Sequence, residues 1–351
     1  MRARPPWRRA DVMAITVARH MLPEDAEQRR QALRSYFGDK EAAAALGAQG
    51  WNLTLDWSSE ADWYVDPQLE HGLRWWGRGA VPDIQAIPLE HRCESGIALS
   101  LFDTWTLHAW SDWLQRHGGC REALILHVDD HLDLGSPRLV VGSDGWTDAI
   151  TGARFDLREP STVTAAIESG AVSMGTFLTP MVHAVERIEI RHLRPPHRGR
   201  DTVTRRLLPT TEVDALLSPG GLRPAVAMAS LGAMEAGQGE KVYRATCAVD
   251  EWLRDAPQWP VLLHIDMDFF CNRFDGDSDW TEAPDRHDTP LSGVLAGIDE
   301  LFATLHASDV VDRLEGVAVG VSPGFFPAEF WETAWNRIVG NVAARGSFHG
   351  Q

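Results

Sequence analysis

The sequence predicts an α/β protein with a mainly parallel sheet flanked by helices. Two segments, residues 123–135 and 260–270, begin with apolar β-formers and end in acidic residues, which is typical of buried strands that present polar groups at their carboxyl ends. Strand-like and helical spacing alternates along the rest of the chain, as in proteins with parallel sheets. The chain has 351 residues, 44% of them hydrophobic, which is enough for one large α/β domain or two ordinary ones.

The spacing of apolar residues and helix-breaking residues predicts the individual elements. Strands are expected at residues 96–102, 123–128, 187–193, 225–231, 260–266 and 316–321. Helices are expected at residues 23–46, 162–169, 175–185, 210–217, 243–254, 291–305 and 328–342. One more helix should follow Asp103 or Thr104, either of which can cap it. The basic, proline-rich residues 195–206 are expected to form an exposed loop.

The chain divides near residue 85. Residues 1–85 are interpreted as an N-terminal accessory segment with a helix and a tryptophan-rich stretch, and residues 86–351 as the main domain. The tryptophans at positions 57, 63, 75 and 76 either pack an accessory layer or form an aromatic surface for a peptide. Packing is the favoured interpretation, because large aromatic residues are first of all core residues.

Composition restricts the partners and the compartment. The formal net charge of -17 disfavours nucleic acid and anionic membranes, which bind basic surfaces, and suits a cationic substrate. Four scattered cysteines lack the spacing of a zinc site or a disulfide framework. The apolar residues 12–18 lack the cleavage pattern of a signal peptide, and no apolar run is long enough to cross a bilayer. A cytoplasmic protein is expected, and the oligomeric state is left open.

The first acidic motif contains Asp129, His131 and Asp133. These side chains alternate along an extended segment, so they lie on one side and can converge on one point. Bringing two carboxylates and an imidazole together is unfavourable without a cation, and a divalent metal removes that penalty. A solvated acidic turn at the end of a strand is the alternative.

A second motif, Asp266 and Asp268, repeats this plan after another apolar strand. Two such strands, far apart in the sequence, are expected to be neighbours in one parallel sheet and to deliver their acids to one site. The pair of motifs therefore favours a metal centre over two solvated turns.

With these residues the chain resembles the arginase/deacetylase superfamily, whose enzymes carry Asp-x-His-x-Asp after one strand and Asp-x-Asp after a later one. It most resembles the branch of peptide arginases, which convert arginine side chains of ribosomally made peptides into ornithine. The two acidic motifs are specific as a pair. Weaker matches are His108-Ala109 followed by Trp113, the segment 175–180 followed by the strand 188–195, and Ser322-Pro323-Gly324-Phe325.

The resemblance implies a three-layer arginase-like fold for residues 86–351 and a metal-dependent hydrolase that acts on a precursor peptide. The metal ligands that it implies are His108, Asp129, His131, Asp133, Asp266 and Asp268. Two Mn²⁺ ions would lower the pKa of a bridging water, and the hydroxide would attack the guanidinium carbon to give ornithine and urea. Asp133 would orient the hydroxide, and His183 is the candidate proton shuttle, although a packing or surface role fits His183 equally well.

One position departs from this pattern. Arginases carry a carboxylate that binds the guanidinium after a late strand, and the comparable position here is Gly320. A guanidinium in a pocket with little water needs an acidic or carbonyl partner. Either another acid serves, such as Glu168, Asp144 or one from the loop 275–279, or the substrate is not arginine.

Two other functions are compatible with the sequence. A zinc deacetylase or other amide hydrolase of the same fold would use one metal and a tyrosine in a glycine-rich loop, but Tyr36, Tyr64 and Tyr243 lie in no such loop. A non-catalytic metal- or peptide-binding protein would account for the missing guanidinium partner. Turnover of a substrate, and not metal content, separates an enzyme from a binding protein.

Overall fold

The structure, a computed structural model, describes residues 15–118, 121–230, 241–282 and 286–343. Its strands are β1 (Ile15–Val17), β2 (Glu41–Leu46), β3 (Trp51–Asp56), β4 (His91–Glu94), β5 (Ile97–Ser100), β6 (Glu122–Val128), β7 (Leu139–Gly142), β8 (Gly145–Asp148), β9 (Arg154–Phe155), β10 (Arg187–Leu193), β11 (Val203–Val213), β12 (Leu222–Ser230), β13 (Lys241–Thr246), β14 (Val261–Asp266) and β15 (Leu314–Gly320). Its helices are α1 (Ala26–Phe37), α2 (Leu69–Trp76), α3 (Trp105–Arg116), α4 (Pro160–Ser169), α5 (Leu178–Ala184), α6 (Val249–Trp252), α7 (Leu291–His306) and α8 (Trp331–Ala343).

A nine-stranded sheet organises the chain, in the order β12-β11-β13-β10-β6-β14-β15-β5-β4. From β13 to β5 every neighbouring pair is parallel, while β12, β11 and β4 add antiparallel edges. The prediction of a mainly parallel sheet flanked by helices is confirmed.

The two strands that carry the acidic motifs, β6 and β14, are neighbours at the centre of this sheet. Their side chains from Ala123 to Val128 and from Val261 to Ile265 are buried, as expected for continuous apolar strands covered on both faces. Parallel pairing places His127 opposite His264, so the two strands end side by side. The acids that follow them therefore emerge at the same edge of the sheet.

The N-terminal segment forms a small antiparallel sheet, β1-β3-β2, together with α1 and α2, and packs against the rest of the chain. The Tyr36 hydroxyl donates to Asp214 Oδ1 at 2.8 Å, and Asp66 Oδ2 accepts from the backbone N–H of Ala328 at 2.7 Å. Among the tryptophans of this segment, Trp76 is buried, and Trp57, Trp63 and Trp75 are partly buried, as packing residues are.

Three predicted helices are wrong in part or entirely. The helix predicted at 23–46 ends at Phe37, because Gly38 has a φ of 65° and Glu41–Leu46 then pairs with β3. The short helix predicted at 210–217 begins within β11, which continues to Val213. The helix predicted at 243–254 is β13 followed by one helical turn, since its first half pairs with β10. In each case pairing with another strand overrides local helix propensity.

No helix in the four described ranges is both long enough and apolar enough to cross a bilayer. Cys93, Cys247 and Cys271 have free thiols, and Cys120 lies outside the described residues.

Gly72 of α2 provides a test of how tightly the N-terminal segment packs. A Cβ at this position would lie 2.4 Å from Cε3 of the buried Trp331, whereas a Cβ at Gly340 of α8 would have no neighbour within 4 Å. Both glycines are helical, so helix propensity favours alanine equally at each. We expect Gly72→Ala to lower the free energy of unfolding by about 1–3 kcal/mol and Gly340→Ala to raise it by up to about 1 kcal/mol. Denaturant unfolding measures both values, and equal effects would contradict the packing described here.

Candidate metal centre

The loop after β6 folds back on itself to group its acids. The backbone N–H of His131 donates to Asp129 Oδ1 at 2.6 Å, and Asp133 has a φ of 49°, a left-handed conformation that aspartate tolerates better than most residues. The turn after β14 is similar, because the N–H of Asp268 donates to Asp266 Oδ1 at 3.1 Å. Both turns place carboxylates at the sheet edge in the directions that the alternating motifs predict.

A third acid, Asp103, reaches the same place from the end of β5. It is buried, and it fits because the neighbouring strand β15 ends in Gly320: a Cβ on Gly320 would lie 2.7 Å from Asp103 Cβ and 3.0 Å from its Cα. Asp103 therefore occupies the space that a side chain at position 320, at the end of β15, would take. From the sequence alone, Asp103 is predicted only to cap the helix that follows it.

Three groups of possible metal ligands contain Asp129, and two of them also include Asp266 or Asp268 from the turn after β14. Within each group the donor atoms lie within 4.8 Å of one another: Asp103, Asp129 and Asp266 form one, and Asp129, His131 and Asp268 form the other. A third group joins Asp129 and Asp133 to His127 and His264. The structure thus brings together Asp129, His131, Asp133, Asp266 and Asp268 as predicted, and adds Asp103.

The electrostatics of these groups favour a cation. Burial, and next the charge of neighbouring carboxylates, raises the pKa of Asp103, Asp129, Asp133 and Asp266 well above the usual value. Asp103 Oδ1, Asp129 Oδ2 and Asp133 Oδ2 are buried without a hydrogen-bond partner. Such oxygens are unfavourable in a protein interior unless a metal ion or proton satisfies them.

His131 supplies at most one positive charge to this cluster. Its Nδ1 lies 2.9 Å from Asp268 Oδ2. Burial opposes protonation of the imidazole, but the charge of Asp268 together with hydrogen bonds to Asp129, Asp268 and Asp275 outweighs burial and raises the pKa of His131. Several carboxylates with one imidazole and no thiolate suit a hard or borderline divalent ion. The residues present therefore fit a metal ion.

Three buried histidines lie in a row below the carboxylates, on neighbouring strands β10, β6 and β14. His127 Nδ1 lies 3.0 Å from His264 Nδ1, and His192 Nε2 lies 2.8 Å from the carbonyl oxygen of Asp129. Burial lowers the pKa of His192 to about 4 and that of His264 to about 3, so both are neutral at pH 7. They support the loop after β6 without adding charge. A sequence signal existed, because a histidine precedes Asp129 and Asp266 by the same two residues.

The structure does not bring His108 to this cluster, contrary to its predicted role as a ligand. Its ring lies against Trp105 and His91, and its Nδ1 is 4.0 Å from Asp112 Oδ2. The buried face of α3 contains Trp105, Leu107 and Trp110, and His108 lies partly exposed beside it. Asp103, just before the helix, occupies the sheet edge instead.

His183 also lies elsewhere. Its Nε2 is 2.8 Å from the carbonyl oxygen of Ala225, and its ring contacts Trp146 edge to face. Burial lowers the pKa of this histidine. These contacts favour the packing role for His183 over proton transfer at the carboxylate cluster.

A cavity of about 580 Å³ opens above the carboxylates. Its floor contains Asp103, His131, Asp133, Asp266, Asp268 and Ser322. Its walls are largely apolar and contain Leu132, Leu134, Met174, Val226, Met228 and Phe325. One further carboxylate, Asp39 from the N-terminal segment, also lines it. A mainly apolar cavity with convergent polar groups is typical of a small-molecule or side-chain binding site.

Another group, formed by Asp130, His197 and His287, also has donor atoms within 4.8 Å. Arg198 already donates to both carboxylate oxygens of Asp130, at 3.0 and 2.7 Å. A bidentate arginine neutralises the aspartate and occupies its lone pairs, so this group is the weaker metal site.

Comparison with known proteins does not assign the chain to a family. Neither the scan against protein-family models nor the search of curated proteins finds a significant match. The geometry of the carboxylate cluster is therefore the basis for a functional assignment.

Gly320→Ala tests whether Asp103 belongs to the metal centre. The new Cβ would meet Asp103 Cβ and backbone, which cannot move without displacing the carboxylate. We expect Mn²⁺ affinity to fall by about 10-fold or more, the size of effect seen when groups that support metal ligands are disturbed. Gly316→Ala on the same strand is the matched control, because its Cβ would meet only Leu262 Cδ2, at 3.3 Å. Calorimetric titration measures both, and unchanged affinity in Gly320→Ala would exclude Asp103 as a ligand.

Metal binding should depend strongly on pH. The raised pKa values of Asp103, Asp129 and Asp266 mean that the metal-free protein holds protons that a cation must displace. These protons are held more tightly in the native than in the unfolded state, so the stability of the metal-free protein should fall as pH rises towards 7. Affinity for Mn²⁺, and the rise in Tm that it causes, should therefore increase as pH rises above the ordinary pKa of an aspartate. A Tm that does not respond to Mn²⁺ at any pH would contradict this.

Proposed function

We propose that this protein is a metal-dependent hydrolase of the peptide-arginase branch of the arginase/deacetylase superfamily, with its three-layer fold. It would convert arginine side chains of a ribosomally made precursor peptide into ornithine and urea, with two Mn²⁺ ions. The observation that carries the proposal is a pair of ligand groups that share the buried Asp129 and whose other members line one cavity: Asp103, Asp266, His131 and Asp268. A shared carboxylate is the arrangement expected of two ions held close together.

Each ion would have its own set of ligands. Asp103 and Asp266 would hold one, His131 and Asp268 would hold the other, and Asp129 belongs to both sets. Bound divalent ions supply a nucleophile at neutral pH and stabilise the negative charge that forms during attack. Asp133 lines the same cavity and its Oδ2 is buried without a hydrogen-bond partner, so this carboxylate is suited to accept a proton from the attacking water.

The reaction balances without another reactant. Water adds its oxygen to the guanidinium carbon, and the bond from that carbon to the side-chain nitrogen breaks. The departing nitrogen gains protons and leaves as the ammonium of ornithine, while the carbon leaves as urea. The substrate guanidinium and the product ammonium each carry one positive charge, so the net charge does not change. The protein therefore needs only to transfer protons, which Asp133 does in this proposal.

The lining of the cavity supports arginine over an amide substrate. Leu134, Met174 and Val226 provide apolar contacts for a long alkyl chain. None of the three tyrosines lines the cavity. Tyr36 donates to Asp214, and the Tyr243 hydroxyl lies 2.7 Å from His192 Nδ1. An amide hydrolase that uses a tyrosine to stabilise an oxyanion therefore has no such residue here.

Mass spectrometry tests the activity directly. Arginine-containing peptides, ideally the precursor encoded beside this gene, are incubated with Mn²⁺-loaded protein. Each converted arginine should lose about 42 Da, the mass of CN₂H₂ removed when hydrolysis releases urea. Asp266→Ala should abolish this change because it removes a proposed ligand, while His108→Ala should retain activity within about threefold, because it lies outside the cavity.

Full activity in Asp266→Ala would contradict the two-metal proposal. If a protein shown to hold two metals leaves peptides and free arginine unchanged, the function becomes amide hydrolysis or binding.

A further inference from the structure

The cavity contains one carboxylate that the proposed metal ligands do not account for. Asp39 lines the cavity but belongs to none of the groups of possible metal ligands found among the described residues. It comes from the N-terminal segment, which the sequence predicts to be an accessory segment. Its position depends on Gly38, whose left-handed conformation ends α1 and turns the chain towards the cavity.

Asp39 is held firmly by the main domain. Its Oδ2 accepts a hydrogen bond from the backbone N–H of Met174 at 2.9 Å. Arg138 fixes the neighbouring chain, donating to the carbonyl oxygen of Tyr36 and, at 2.9 Å, to Ser173 Oγ. A carboxylate anchored in this way has little rotational freedom, so its remaining lone pairs point in a defined direction.

Within the part of the chain that the structure describes, Asp39 has no direct ion pair with a basic side chain. Among the described residues, no lysine, arginine or histidine nitrogen lies within 4.0 Å of it. Arg138, whose charge acts on Asp39, directs its own N–H groups to Tyr36, Gly170 and Ser173. The ammonium of Lys40 lies over the ring of Trp57, 4.3 Å from its centroid. Burial consequently raises the pKa of Asp39 to about 6, against the weaker opposing effects of Met174 and Arg138.

The other candidate acids do not reach the cavity. Glu168 and Asp144 are exposed and absent from its lining. Asp275 accepts hydrogen bonds from Arg198 and Asn272, at 3.1 and 3.0 Å, and also lies outside the lining. Gly320 has no room for a carboxylate because Asp103 occupies that space.

We infer that Asp39 is the residue that selects a cationic side chain by pairing with the guanidinium of the substrate. This inference rests on the proposed function and supplies the guanidinium partner that Gly320 cannot provide. The apolar walls would hold the alkyl part of the side chain and place its guanidinium between Asp39 and the metal centre. The N-terminal segment is then part of the substrate site, and its removal would remove substrate recognition together with a wall of the cavity.

Asp39→Asn separates recognition from structure, because asparagine keeps an oxygen for the Met174 N–H and loses only the charge. Glu168→Gln is the matched control, an equivalent change at an exposed acid outside the cavity. Both variants are compared with the wild type, all loaded with Mn²⁺ and checked for equal metal content and Tm.

Binding is measured with two fluorescent peptides that carry lysine or norleucine in place of the target arginine. Lysine keeps the positive charge but offers no guanidinium carbon to attack, so binding can be measured without turnover. Wild type and Glu168→Gln should prefer the lysine peptide, and Asp39→Asn should lose that preference. With the arginine peptide, kcat/KM should fall by about 30-fold or more in Asp39→Asn, as expected for removal of one partner of a buried ion pair.

The outcomes distinguish this inference from the proposed function. If Asp39→Asn forms ornithine as fast as wild type and keeps the preference for lysine, the inference is wrong and the proposed function stands. If no peptide yields ornithine but the preference for lysine depends on Asp39, the inference stands as a cation-binding site and the proposed function is wrong.

Discussion

The structure depends on keeping several carboxylates together at the carboxyl edge of the sheet, where little water reaches them. Asp103, Asp129, Asp133 and Asp266 are all buried, and their mutual repulsion and loss of hydration oppose folding unless a cation or protons neutralise them. The scaffold around them is correspondingly rigid. β6 and β14 are buried along their length, and the row of neutral histidines below holds the strand ends in register.

Gly320 connects this arrangement to substrate recognition. Asp103 occupies the space next to the Gly320 Cα. The end of β15 therefore adds no charged side chain to the site at this position. In our proposal, recognition of the substrate cation moves to Asp39, on a segment that precedes the main sheet. Hydrogen bonds such as those of Asp66 with Ala328 and of Asp39 with Met174 anchor that segment. The cavity is therefore lined by residues from both parts of the chain.

The sequence allowed prediction of the features that are local and periodic. The buried strands and the alternating Asp129, His131 and Asp133 were predictable because strand geometry alone puts these side chains on one side. Asp103 was missed in favour of His108 because sequence does not reveal which residue at the start of α3 faces the sheet edge. Asp39 could not be predicted, since its contact with Met174 spans 135 positions and depends on how the N-terminal segment packs. The helix expected at 23–46 ends early for a different reason, because Glu41–Leu46 pairs with the next strand, β3, and helix propensity does not reveal this pairing.

The central claim is that two metal ions bind on either side of Asp129. Crystals grown with Mn²⁺ and measured at the manganese absorption edge would locate the ions by anomalous scattering. We predict two peaks about 3.5–4 Å apart, the usual separation in two-metal sites, one near Asp103 and Asp266 and the other near His131 and Asp268. A single peak at Asp130, His197 and His287, or no peak beside Asp129, would contradict this account.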